Sequence, residues 1–151
     1  MIGKTAERYL DEGMAVYEKR LRHYVPFEVS VLPDVKQAKN LHPAQLKEAE
    51  GALVLDRLEK RDILVLLDEN GKTFGSVAFA KWIEGQMNVS AQRMVFLIGG
   101  AFGFSKDVYE RAQFKISLSE MTFSHQLVRL IFLEQLYRAQ TILKGEPYHH
   151  V

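Results

Sequence analysis

A short apolar run, Val95-Phe96-Leu97-Ile98, stops at Gly99-Gly100, with a third glycine at Gly103. Four consecutive apolar residues bounded in this way read as a strand buried on both faces. Beyond the run, side chains give way to bare backbone. A loop there can take positive φ, and a flat ligand or another backbone can come close. Helical spacing then covers Ser105 to Ala112, and a second strand covers Phe114 to Leu118. Strand, glycine loop, helix and strand make a parallel βαβ unit, whose ligands bind outside the carboxyl ends of the strands. The loops 99–103 and 119–123 are therefore expected on one edge of a sheet.

The rest of the chain extends the alternation. Apolar residues recur at helical spacing from Thr5 to Tyr24, with Thr5 as the expected N-cap and Pro26 as a stop. Phe27 to Leu32 alternates as a strand does, and residues 34–43 carry no period and read as an exposed loop in which Lys36 and Lys39 are solvated. Pro43 opens a helix to about Lys60, and Ile63 to Leu67 is a buried strand ending at Asp68-Glu69-Asn70-Gly71-Lys72. Asn-Gly often makes a hairpin turn, but helical spacing follows over 76–88, so a strand-to-helix loop is expected instead. The last element is a long helix, Ser124 to Lys144, with Glu134 and Arg138 one turn apart and Gly145 after it. Its apolar residues cover most of its circumference, so it needs cover on more than one side, and another copy of the chain is one source. The order α, β, α, β, α, β, α, β, α specifies an α/β fold: a mostly parallel sheet with helices on both faces.

Composition narrows the function classes. A chain of 151 residues is expected to form one domain, 1–151, and 47% hydrophobic with 26% charged residues is ordinary for a globular protein. The absence of cysteine excludes disulfides and thiolate chemistry and fits a reducing cytoplasm. No apolar run reaches the roughly 20 residues of a membrane-spanning helix, and the first residues lack the apolar block of a signal peptide, so a cytoplasmic location is expected. A net charge of +1 is no nucleic-acid footprint, and any RNA surface must be assembled by the fold or by oligomerisation.

Three segments carry a resemblance: LLDENGK at 66–72, VFLIGGAFGF at 95–104, and the segment from Ile116 through Tyr148-His149-His150. Over nearly its whole length the chain resembles the RlmH family, small SPOUT-superfamily methyltransferases that modify a pseudouridine of 23S rRNA. The resemblance implies a C-terminal trefoil knot, a homodimer and S-adenosylmethionine as cofactor, with N3 of the pseudouridine methylated on the assembled ribosome. Knots are rare exceptions to the rule of unthreaded chains, and no periodicity would reveal one. The family's cofactor contacts fall on Leu67, Gly99, Leu118, Ser119, Glu120, Met121, Thr122 and Phe123. Family members begin with a short buried strand ahead of the Gly-Lys seen here as Gly3-Lys4, where this chain has only Met1-Ile2. They often carry Arg or Lys where this chain has His150, which implies a weaker phosphate contact at neutral pH.

The resemblance also assigns the chemistry. N3 of pseudouridine is a protonated imide at neutral pH, and histidine is the usual base there. His149 is the candidate base, Tyr148 would position the target, and Arg129 would stabilise the imide anion or hold a phosphate. Without the family, two adjacent histidines are a solvated tail, and zinc spacings are missing, so no metal is expected. Arg129 and Arg138 are then polar-face residues, His125 bonds at a helix end, and Ser117, Ser119, Thr122 and Ser124 are turn or capping residues. GxGxxG, the P-loop and GxSxG are all absent. Two classes stay open: the methyltransferase, and a non-catalytic α/β nucleotide- or RNA-binding dimer.

Overall fold

The structure is a computed structural model that describes residues 1–89 and 92–149. Its contacts divide into two compact units, the first made of residues 1–4, 30–72 and 92–120 and the second of residues 5–29, 73–91 and 121–151.

The first unit holds the sheet. Strand β1 (Ile63–Thr73) lies in the middle, with β2 (Met94–Ile98) on one side and β3 (Phe114–Ser117) on the other. β1 and β2 run parallel, pairing Leu64 with Val95 through to Leu67 with Ile98. Leu64 and Leu66 enter a core with Leu97, with Val54 of helix α2 (Pro43–Arg57) and with Val108 of helix α4 (Lys106–Arg111). Val65 has the opposite parity and is also fully buried, so β1 is covered on both faces. Pro43 starts α2 as expected, behind a capping box of His42 and Gln45. Ser105 caps α4, its Oγ accepting from the Val108 N–H at 3.4 Å. At the amino end of β1, Asp62 is gripped by Arg93, whose Nε and Nη2 donate to its two oxygens at 2.9 and 2.6 Å.

Two expectations about strands need correction. Residues 27–32 do not form a strand: Leu32 makes one parallel bridge to Ile2, and its backbone bonds reach only Met1 and Gly3. A strand exists by pairing, and besides this bridge the Met1 amino group donates to the Ser30 carbonyl at 2.9 Å, a stretch of pairing too short to make a strand. β1, by contrast, does not stop at Leu67 but runs on to Thr73. Asn70-Gly71 is no loop because Gly71 lies against the backbone of Ile116, where a Cβ would stand 2.5 Å from the carbonyl carbon. The missing side chain serves close strand approach, not a turn. β2 and β3 are not neighbours either, since the crossover through α4 passes over β1.

The second unit is helical. Helix α5 (Leu127–Leu143) packs against both α1 (Arg8–Leu21) and α3 (Ser76–Val89), which cover part of its apolar circumference, while Val128, Leu130, Ile131, Ile142 and Leu143 stay half-buried and Leu127 is exposed. α1 begins at Arg8, later than expected, and Thr5 is not its cap. The Thr5 hydroxyl instead contacts Met14 Sδ at 3.6 Å and accepts from Arg129 Nη1 at 3.2 Å. α5 also starts late, although Ser124 Oγ accepts from the Leu127 N–H at 3.1 Å and so acts as a capping group. No described helix is long and apolar enough to cross a membrane.

Candidate active site

The carboxyl edge of the sheet is set by register. Because Leu67 pairs with Ile98, the last residue of β1 in the parallel pairing lies beside the residue that precedes Gly99, and the half-buried Leu67 and buried Gly99 are brought together. A Cβ on Gly99 would stand 2.9 Å from the Phe104 ring, and one on Gly100 would stand 2.9 and 3.0 Å from the two carboxylate oxygens of Glu50. The loop closes through a bridge between Gly100 and Gly103, with Gly103 at φ +79. Beyond β3, Leu118 and Ser119 are half-buried and Glu120 is exposed, and the Ser117 hydroxyl donates to the Ser119 carbonyl at 2.9 Å as a turn residue. After Leu67, Asp68 accepts from the Asn70 N–H at 2.8 Å and from the Tyr109 hydroxyl. Burial first, and then the Asp68 carboxylate, push the Tyr109 hydroxyl up to about 12, so it stays a donor.

A cavity of about 460 Å³ opens at the opposite, amino-terminal end of β1, lined by Lys60, Arg61, Asp62, Ile63, Gln92 and Gln113. Neither Leu67 nor Gly99 borders it.

In the second unit the carboxyl-terminal tail folds back on the helices. The Tyr148 ring meets Tyr137 edge-on with centroids 4.8 Å apart, and Arg138 lies over its face at 4.9 Å. The Tyr148 hydroxyl donates to Glu134 Oε1 at 3.1 Å and lies 3.4 Å from the Tyr17 hydroxyl. Burial, followed by its bond to Tyr17 and the charge of Glu134, raises the Tyr148 hydroxyl well above the ordinary tyrosine range. Tyr24 donates to Glu146, pinning the segment between helix and tail. Glu134 and Arg138 form the expected pair along α5. Arg138 Nη1 lies 3.4 Å from His149 Nδ1. A guanidinium can only donate, so Nδ1 is the acceptor and the ring proton sits on Nε2. Tyr148 and His149 are thus half-buried and held, not a solvated tail.

Arg129 is placed elsewhere. It is fully buried, its Nε donating to the His125 carbonyl at 3.2 Å and its Nη1 to Thr5. Nine residues of helix separate it from Arg138, about 13 Å along the axis. Met121 and Thr122 are exposed and Phe123 is half-buried, while His150 lies outside the described residues. Among the described residues no three His, Asp or Glu side chains converge as a metal site requires.

The family described as "Predicted SPOUT methyltransferase" matches residues 1–149. The ribosomal RNA large subunit methyltransferase H of Parabacteroides distasonis is 55% identical over 150 residues, 99% of this chain and 96% of that protein. The chain belongs to the RlmH family of SPOUT methyltransferases. Relatives of the same description from Cytophaga hutchinsonii and Christiangramia forsetii are 56% and 54% identical over 149 residues, covering 99% of this chain and 96% and 95% of those proteins. Membership in the SPOUT methyltransferases makes the chain an enzyme and removes the non-catalytic alternative.

Within this SPOUT methyltransferase, sequence reasoning did not single out Glu50, whose buried carboxylate packs against the glycine loop. Its signal was present: Leu46, Glu50 and Val54 recur every fourth residue along α2, so an acid interrupts an apolar row.

Proposed function

We propose that the chain transfers a methyl group from S-adenosylmethionine to N3 of a pseudouridine in 23S ribosomal RNA. Residues 1–151 act as a single methyltransferase domain with a C-terminal trefoil knot, as a homodimer in the cytoplasm, on the assembled ribosome. The observation that carries this reading is likeness along 99% of the chain to proteins named ribosomal RNA large subunit methyltransferase H.

The residues at the carboxyl edge fit the cofactor. A flat adenine suits bare backbone at Gly99 beside the half-buried Leu67. A cationic molecule suits a loop backed by the buried Glu50 carboxylate. Leu67, Gly99 and Leu118 to Phe123 would hold it. When bound, it supplies an electrophilic methyl group on a sulfonium.

What remains for the protein is alignment and a proton. The imide N3 must lose its hydrogen as the new carbon–nitrogen bond forms, and His149 accepts it. In the arrangement described above the one lone pair of the imidazole faces Arg138, so His149 acts as base only after Nδ1 leaves that guanidinium. Tyr148 stays protonated and positions the target base. Arg129 acts on an anion only once its contacts with His125 and Thr5 open. In the homodimer the tail of one protomer completes the site of the other, and exposed Tyr9 and Val16, seven residues apart on α1, supply apolar surface for such an interface.

Labelled methyl transfer tests the assignment. Purified protein with labelled S-adenosylmethionine is expected to label 23S rRNA in assembled ribosomes more than in isolated large subunits. His149→Ala is expected to bind the donor within a few-fold of wild type and to lose roughly 100-fold in turnover, the scale of a missing general base. Unchanged turnover in that variant would remove His149 from the role.

A further inference from the structure

Glu50 is only 9% exposed, yet no described residue gives it a hydrogen bond or an ion pair. The other charge acting on it is Asp34, of the same sign. A carboxylate taken out of water without a partner is a standing cost to the fold, and such groups are normally paired, protonated or bound to a cation. Its neighbour is the glycine loop: the carboxylate packs directly against Gly100, where a Cβ would stand 2.9 Å from one of its oxygens and 3.0 Å from the other. A metal ion is a poor match, because among the described residues no further acids or histidines gather with it into a group of three. An organic cation needs only one such carboxylate. The proposed reaction brings a cation to this loop.

We propose that Glu50 is the anionic wall of the methyl-donor site, meeting a positive charge of the donor beside Gly100. The inference rests on the functional reading above and adds a specificity residue to it. The donor has two positive centres, its sulfonium and its α-ammonium, and both offer the chemistry a buried carboxylate recognises. A Glu50 site discriminates by charge where Leu67 and bare Gly99 recognise shape.

The test is calorimetry on the full chain, wild type and Glu50→Gln, with three ligands. S-adenosylmethionine carries both cations, S-adenosylhomocysteine only the ammonium, and methylthioadenosine neither. Glu50→Gln is expected to weaken S-adenosylmethionine about tenfold or more and to leave methylthioadenosine within about twofold. Parallel loss for S-adenosylhomocysteine assigns the contact to the ammonium, and its sparing assigns it to the sulfonium. Unchanged affinity for S-adenosylmethionine, or equal loss for all three ligands, overturns the proposal. Glu50→Asp keeps the charge one methylene further back and is expected to show the same ranking at smaller amplitude, so the test survives a Gln variant that fails to fold. Wild-type protein that binds none of the three would overturn the functional reading itself, and this inference with it.

Discussion

Glu50 and Asp62 are both buried carboxylates of the sheet-bearing unit, and their surroundings drive them in opposite directions. The Arg93 hydrogen bonds hold the Asp62 carboxyl below the usual carboxylate range, while burial and then Asp34 push Glu50 above it. A depressed folded pKa contributes stability above the unfolded value, near 3.9 for aspartate, and that contribution is lost as pH falls through the folded value. A raised folded pKa works the other way. Its contribution is complete below the unfolded value, near 4.3 for glutamate, and disappears as pH rises through the folded one. Thermal melts from acid to neutral pH are therefore expected to diverge in opposite senses. Glu50→Gln matches wild type in acid and gains on it as pH rises. Asp62→Asn matches wild type in strong acid and falls behind above about pH 4, by roughly 1–3 kcal/mol for a buried acceptor of charged hydrogen bonds. A Glu50→Gln variant less stable than wild type at neutral pH would mean that the carboxylate has a partner after all.

β1 shows how far local pattern reaches and where it stops. Its apolar half, Ile63 to Leu67, is legible as a buried strand because the residues themselves are apolar. Its polar half, Asp68 to Thr73, is strand because β3 lies against it, a fact that no local period carries. The same distinction separates the helices from residues 27–32. α2, α3 and α4 fall close to their expected ranges because a helix closes its own hydrogen bonds. The segment 27–32 alternates correctly and still forms one bridge, because its ladder depends on chain elsewhere. Thr5 missed its capping role for a related reason: a distant arginine and a methionine use its hydroxyl. Gly71→Ala is the variant that tests the strand contact. Its methyl group would meet Ile116 backbone at 2.5 to 2.7 Å, and backbone cannot swing aside as a side chain can. Urea unfolding is expected to show a loss of about 2–3 kcal/mol or more, the upper range for overpacking. A loss under about 0.5 kcal/mol, ordinary for an indifferent site, would show that the two strands do not touch there.

For the molecule as a whole, the place of Gly99 followed from one physical rule, that ligands meet parallel strands at their carboxyl ends, and the register of β1 on β2 brings Leu67, the last residue of their pairing, beside it. The tail's chemistry was legible only through family resemblance. Nothing in Tyr148-His149 taken alone announces that a tyrosine will stack on Tyr137 or that Arg138 will occupy the imidazole. The all-round apolar α5 pointed to cover from more than one side; α1 and α3 supply part of it, and the apolar residues left half-buried, with exposed Tyr9 on α1, are the surface that the proposed homodimer would use. Glu50 escaped notice because one acid in an apolar row is informative only once the loop it faces is known. The measurement to make is a crystal structure grown with saturating S-adenosylmethionine. The account predicts adenosyl density against Gly99 and Gly100, flanked by Leu67 and the 118–123 segment, with a cationic centre of the donor within ion-pair distance of Glu50. Density confined to the cavity beside Lys60 and Gln113, with the glycine loop still bare, would contradict it.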